Sequence, residues 1–129
     1  MAAVDKETLR SFCYLGETAA LNIVNEEIII ASGAGVLKPG TVLGKITASG
    51  KYVLHDAGLS NGAQTAAAIL GHAVDATAAD VTTVGTVNGP ATIFGNYLTF
   101  KSGISDANKK AAIAALGAKL LKVLPQHAA

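Results

Sequence analysis

Three histidines, one cysteine and nine acidic residues are the groups through which this chain could do chemistry, and their spacing argues against it. His55, His72 and His127 form no HxH or HxxxH pair that would set two imidazoles on one metal. His55 and Asp56 have the residue types of a base and its orienter, but neighbours on a strand point to opposite faces. The sequence has no GxSxG elbow to present a nucleophilic serine. The stretch PGTVLGKIT puts a lysine after a glycine-bearing loop. A phosphate loop, however, needs glycine where Pro39 stands and a hydroxyl where Ile46 stands. Cys13 is alone, which excludes an internal disulfide and a multi-cysteine zinc site. Glu26 and Glu27 precede an apolar run, and Asp75, Asp80 and Asp106 fall where aspartate bonds the backbone of turns and caps. The expectation is a protein that is not an enzyme and needs no cofactor or metal.

The elements that carry these residues are short. From Val36 to Phe100 the pattern is strands between turns. Lys38, Pro39 and Gly40 form a turn, and residues 41–54 read as a hairpin with its tip near Ser49 and Gly50. Gln64 to Leu70 is an apolar run that reads equally as a strand or a short helix, because alanine favours helix while the flanking glycines favour a buried strand. Val81 to Val87 reads as a strand ended by Asn88, Gly89 and Pro90, and Ile93, Phe94, Tyr97, Leu98 and Phe100 belong to a further strand region. A helix starts after Gly103, capped by Ser105 or Asp106, and Gly117 is its expected stop. Residues 118–124 read as a continued helix or a closing strand.

Residues 1–35 differ from the rest. They read as an extended arm with one short strand near 26–31, and residues 36–129 as the domain proper. An arm without a core of its own normally lies on something else. Its apolar residues Leu9, Phe12, Tyr14, Leu15, Ile28, Ile29 and Ile30 are the candidate contacts. The alternative for the isoleucines is that they fold back onto their own domain. Deletion of residues 1–30 is the experiment that separates the two.

Composition narrows the partners. Half the 129 residues are apolar, but many are alanine and valine, 14 are glycine, six are aromatic and none is tryptophan. Small side chains bury little area each, so the core is thin and association is expected to contribute stability. The net charge is +1, and Lys109–Lys110 is the only adjacent basic pair. Nucleic-acid binders need a basic stripe to neutralise phosphates, so none is expected as a partner. No apolar run approaches the roughly 18 residues of a membrane span. Asp5, Lys6, Glu7 and Arg10 interrupt the start of the chain where a signal peptide would be continuous, so synthesis and folding in a cytoplasm are expected.

The stretch LKPGTVLGKITASGKYVLHDAGLSNGAQTAAAIL, Leu37 to Leu70, resembles the head decoration proteins of tailed phages, the family of the lambda decoration protein. The likeness lies in the GTVLGKI-type opening, the hairpin, and Asn61-Gly62-Ala63-Gln64-Thr65-Ala66, where the family has an Asp-Gly-Ser-Gln-Thr-Ala pattern. Asn61 and Ala63 depart from that pattern. SDANKKAAIAAL, residues 105–116, resembles the family's closing helix, and the short final strand that follows in the family tips residues 118–124 toward strand. The arm ending EEIIIASGAGVLKPG is similar to that of longer-armed members.

The resemblance implies an α+β, β-rich fold: a compact small β-barrel or sandwich-like domain with an extended N-terminal arm and one C-terminal helix. It implies a virion protein on the outer surface of an expanded head, a homotrimer at three-fold positions, bracing the capsid against internal DNA pressure. Its partner would be the major capsid protein, reached by an arm that adds a strand to an exposed sheet edge. A second reading comes from a resemblance to lipoyl-like carrier domains, which also contain hairpins of the PGTVLGKI kind. In such a carrier module Lys51, near the hairpin tip, would be the modified lysine.

Overall fold

A computed structural model describes residues 15–18, 25–88, 91–119 and 121–124. Among the described residues ten strands follow one another: β1 (Leu15–Thr18), β2 (Asn25–Ile30), β3 (Gly35–Leu37), β4 (Val42–Lys45), β5 (Tyr52–Leu54), β6 (Ala66–Leu70), β7 (Val74–Ala76), β8 (Val81–Thr86), β9 (Ala91–Phe94) and β10 (Leu121–Leu124). The α-helix among the described residues, α1 (Asp106–Gly117), precedes the last strand.

Five of the strands close a barrel in the order β2-β5-β4-β6-β8, with β8 pairing back onto β2. Closure removes most of the unpaired strand edge that an open sheet exposes. The expected hairpin is β4–β5, paired from Leu43–Leu54 to Lys45–Tyr52, and the residues between form its tip. The ambiguous run 64–70 contains a strand, β6. It lacks a clean alternation because both of its faces are covered.

Those two faces explain the two cores. Inside the barrel Ile28, Ile30, Leu37, Leu43, Tyr52, Ala68, Leu70, Ala76 and Val87 cluster together. Outside it, Val42 and Ile69, opposite each other on β4 and β6, form a second core with Ile93, Leu98 and the Ala112 and Leu116 of α1. Leu43 points in and Val42 out, as the period of two requires. Gly44 lies beneath the loop before β6, where a Cβ would overlap the backbone of Ala63.

Ser105 is the helix cap, its hydroxyl accepting from Asn108 N at 3.2 Å. Such a cap is worth about 1 kcal/mol. The helix stops at Gly117, as expected. That glycine is the last helical residue, and Ala118, in right-handed geometry, closes the turn by donating to Ala114 O at 3.1 Å. The closing segment is a strand, β10, parallel to β9, with β1 antiparallel on the other side of β9. The strand region expected from Ile93 to Phe100 is interrupted by a 3-10 turn at Gly95–Tyr97 before Thr99 bridges to Thr41.

The largest difference from the sequence reading concerns residues 25–35. β2 is laddered to β8 along all six residues, from Asn25–Thr86 to Ile30–Val81. Ile28 and Ile30 are 4% and 0% exposed. These two isoleucines therefore fold back onto their own domain and are not free to meet a partner. The cause is visible in the alternation: Ile28 and Ile30 fall on one face and Ile29 on the other.

Candidate functional site

The chemical groups sit in structural roles. His55 is 2% exposed and its Nε2 lies 3.0 Å from Gln64 O. Its Nδ1 is buried with no hydrogen-bond partner among the described residues, and no nucleophile or carboxylate is hydrogen-bonded to the ring. No group of three metal-ligating side chains occurs among the described residues.

Three aspartates stitch the loops at the barrel ends. Asp56 Oδ2 accepts from Lys101 Nζ at 2.9 Å, and Oδ1 accepts from Gly58 N at 2.9 Å. These bonds, the lysine first, hold its carboxyl below the usual range. Asp75 accepts from the hydroxyl and the amide of Thr77, which lower its pKa in that order. Asp80 receives Lys51 Nζ at 2.6 Å on one oxygen and Ser32 N at 2.8 Å on the other, again lowering its pKa, Lys51 foremost. Tyr52 is raised, first by burial and then by the charge of Glu26.

The Lys51–Asp80 pair bears on the carrier reading. A carrier lysine must stand free at its hairpin tip for a modifying enzyme, whereas Lys51 is tied to the loop before β8. Nothing in the geometry favours a carrier.

What remains is surface. α1 and β9 cover the outer face of β4 and β6, but the outer face of β2 and β8 has no covering element among the described residues. There Glu27 and Thr82 are exposed and Ile29 is 41% exposed. Val36 on β3 is 71% exposed and Leu59, in the loop after β5, is 36% exposed. Leu59, Leu54, Ala34 and the Asp56–Lys101 pair border an open groove of about 320 Å³. Ile29, Val36 and Leu59 are thus separate exposed apolar residues on the described surface.

The family model described as Bacteriophage lambda head decoration protein D matches residues 6–121. The chain belongs to that family. Among curated proteins no relative is matched. Membership makes the chain a structural component of a phage virion that decorates the capsid surface, in a family of capsid proteins rather than enzymes. The β-rich barrel with one C-terminal helix agrees with the α+β domain that the sequence implied. No helix among the described residues is long and apolar enough to cross a membrane.

Of the seven candidate contact residues, Leu9, Phe12 and Tyr14 lie outside the described residues. Leu15 opens β1, where its backbone is opposite Ile93. Ile28 and Ile30 are interior, and Ile29 alone of the three isoleucines is exposed. Val36 and Leu59 escaped the sequence reading because a single apolar residue beside a turn has no pattern to distinguish it.

Proposed function

We propose that three copies of this chain associate at three-fold positions on the outside of an expanded phage head and brace it against the pressure of packaged DNA. The observation that carries the reading is the family match across residues 6–121. The composition supports it: an interior rich in alanine gains little area per residue, so association with copies and with a shell adds burial that the monomer lacks. The major capsid protein is the partner. Leu9, Phe12 and Tyr14 meet it from the chain ahead of β1, and Ile29 is available on the barrel. Three such arms on one trimer bind with avidity, since the second and third contacts form at high effective concentration. Assembly takes place in the host cytoplasm, and neither nucleic acid nor membrane is engaged.

The test is mechanical. DNA-filled heads lacking a decoration protein are warmed with and without the purified protein, while DNA release and bound stoichiometry are followed. The reading expects release at higher temperature and binding in multiples of three. Unchanged release at saturating occupancy contradicts the bracing role, and occupancy in multiples other than three contradicts the trimer.

A further inference from the structure

The loop ahead of β6 is knitted together by its own side chains. Asn61 Oδ1 accepts from Ala63 N at 3.1 Å, and Gly62 N donates to Gln64 Oε1 at 2.8 Å. Asn61 O accepts from Thr47 N at 2.9 Å. The carbonyl of Asn61 and the N–H of Gly62 belong to one planar peptide unit, so that unit is pinned at both ends. Gly62 sits at φ +109°, where a Cβ would overlap Thr47 and the Lys45 carbonyl, so the position requires glycine.

That requirement places an Asn-Gly pair in the loop, and such a pair carries a reaction of its own. The amide nitrogen after an asparagine attacks the side-chain Cγ, and a glycine at that position, lacking a Cβ, leaves the approach open. Here the bond forms between Gly62 N and Asn61 Cγ as the nitrogen gives up its proton. The Cγ–Nδ2 bond breaks, and Nδ2 leaves with the proton as ammonia. Water then opens the cyclic imide at either carbonyl, giving aspartate or the β-linked isoaspartate. Asn61 is exposed, so water reaches it.

The Ala63 and Gln64 bonds act on this reaction in opposite senses. The Ala63 N–H polarises the side-chain carbonyl of Asn61 and favours attack at Cγ, as a donor aimed at a developing oxyanion does. The Gln64 acceptor keeps the proton on the attacking nitrogen, and together with Thr47 it stops the peptide unit from turning toward Cγ. The electrophile is ready and the nucleophile is held.

We propose that Asn61 is a deamidation site that the fold keeps closed, with Gln64 closing it by occupying the Gly62 N–H. Conversion has a structural consequence. Isoaspartate adds a methylene to the backbone at the peptide unit that bonds Thr47, which detaches the loop from the β4–β5 hairpin.

The test ages the full-length chain in mildly alkaline buffer and follows residue 61 by peptide mapping and mass. Folded wild type is compared with the same chain unfolded in guanidinium, and with folded Gln64→Ala and Gln64→Glu. Gln64 is exposed and its bond to His55 is made by the backbone, so both variants are expected to melt like wild type. Folded wild type is expected to convert Asn61 about tenfold or more slowly than the unfolded chain. Gln64→Ala is expected to speed conversion in the folded state by up to about tenfold, the factor that a hydrogen bond of ordinary net strength controls. Gln64→Glu keeps an acceptor and is expected to stay at the wild-type rate. Equal rates in folded and unfolded wild type overturn the proposal. So does an unchanged rate in Gln64→Ala, or an equal acceleration in Gln64→Glu, which would remove the acceptor from the account.

Discussion

Ile28 lies against Gly85 across the β2–β8 ladder, so close that a Cβ on Gly85 would stand 2.7 Å from the Ile28 Cδ1. A residue from the segment that reads as an arm is thus built into the interior of the barrel. The contact ties residues 25–30 to the barrel. It also decides where the chain can be cut.

Deletion of residues 1–14 leaves every described element in place, whereas deletion of residues 1–30 removes β1 and the barrel strand β2. The shorter truncation is expected to melt cooperatively with a native-like circular dichroism spectrum. The longer one is expected to lose its cooperative transition.

Ile30 and Ile29 are neighbours with opposite fates. Ile30→Ala deletes buried volume from a fully enclosed site and is expected to cost about 2–5 kcal/mol. Ile29→Ser changes a side chain already facing water and is expected to stay within about 0.5 kcal/mol of wild type. Denaturant unfolding of the two variants measures the contrast, and equal losses would contradict the orientation of β2.

Gly44→Ala is expected to destabilise the fold by about 1–3 kcal/mol, since the added methyl meets the Ala63 backbone, which cannot yield like a side-chain tip. Gly117→Ala, on an open helix position with nothing within 4 Å, is expected to be neutral or slightly stabilising. Thermal melts of the two variants check both signs.

Acid sensitivity follows from Asp56, Asp75 and Asp80. Each is held below its ordinary value of 3.8 in the folded protein, by Lys101, by Thr77 and by Lys51 respectively as the leading cause. The unfolded chain therefore binds their protons more readily. Their contribution to stability is present above about pH 4 and lost as the pH falls through the lowered values. The melting temperature is expected to hold between pH 7 and pH 5 and to drop below pH 4. The Asp56→Asn, Asp80→Asn double variant is expected to show a shallower acid limb, and an unchanged limb would contradict these roles.

Much of the fold was legible because it rests on local signals. Ser105 before an alanine-rich run gives the helix start, and the Ser49-Gly50 tip between two apolar stretches gives the β4–β5 hairpin. β6 was ambiguous for a physical reason: Ile69 faces the core under α1 while Ala68 and Leu70 face the barrel interior, so no polar face marks the strand. The strand expected near 26–31 is β2, but it read as part of an arm because its partner β8 is distant in sequence. The candidate surface was hardly legible at all. Val36 and Leu59 become a surface feature only once the chain has closed around them, and a protein contact needs no reactive motif to announce it.

The central claim is that this chain binds the outside of a phage head through the chain ahead of its barrel. Co-sedimentation with expanded, undecorated heads tests it most directly, with the full-length protein run beside the variant lacking residues 1–14. The account predicts saturable pelleting of the full-length chain and its loss on truncation, while the truncated protein remains folded. Failure of the intact protein to pellet would contradict the account, and equal pelleting of the two would contradict the part it assigns to Leu9, Phe12 and Tyr14.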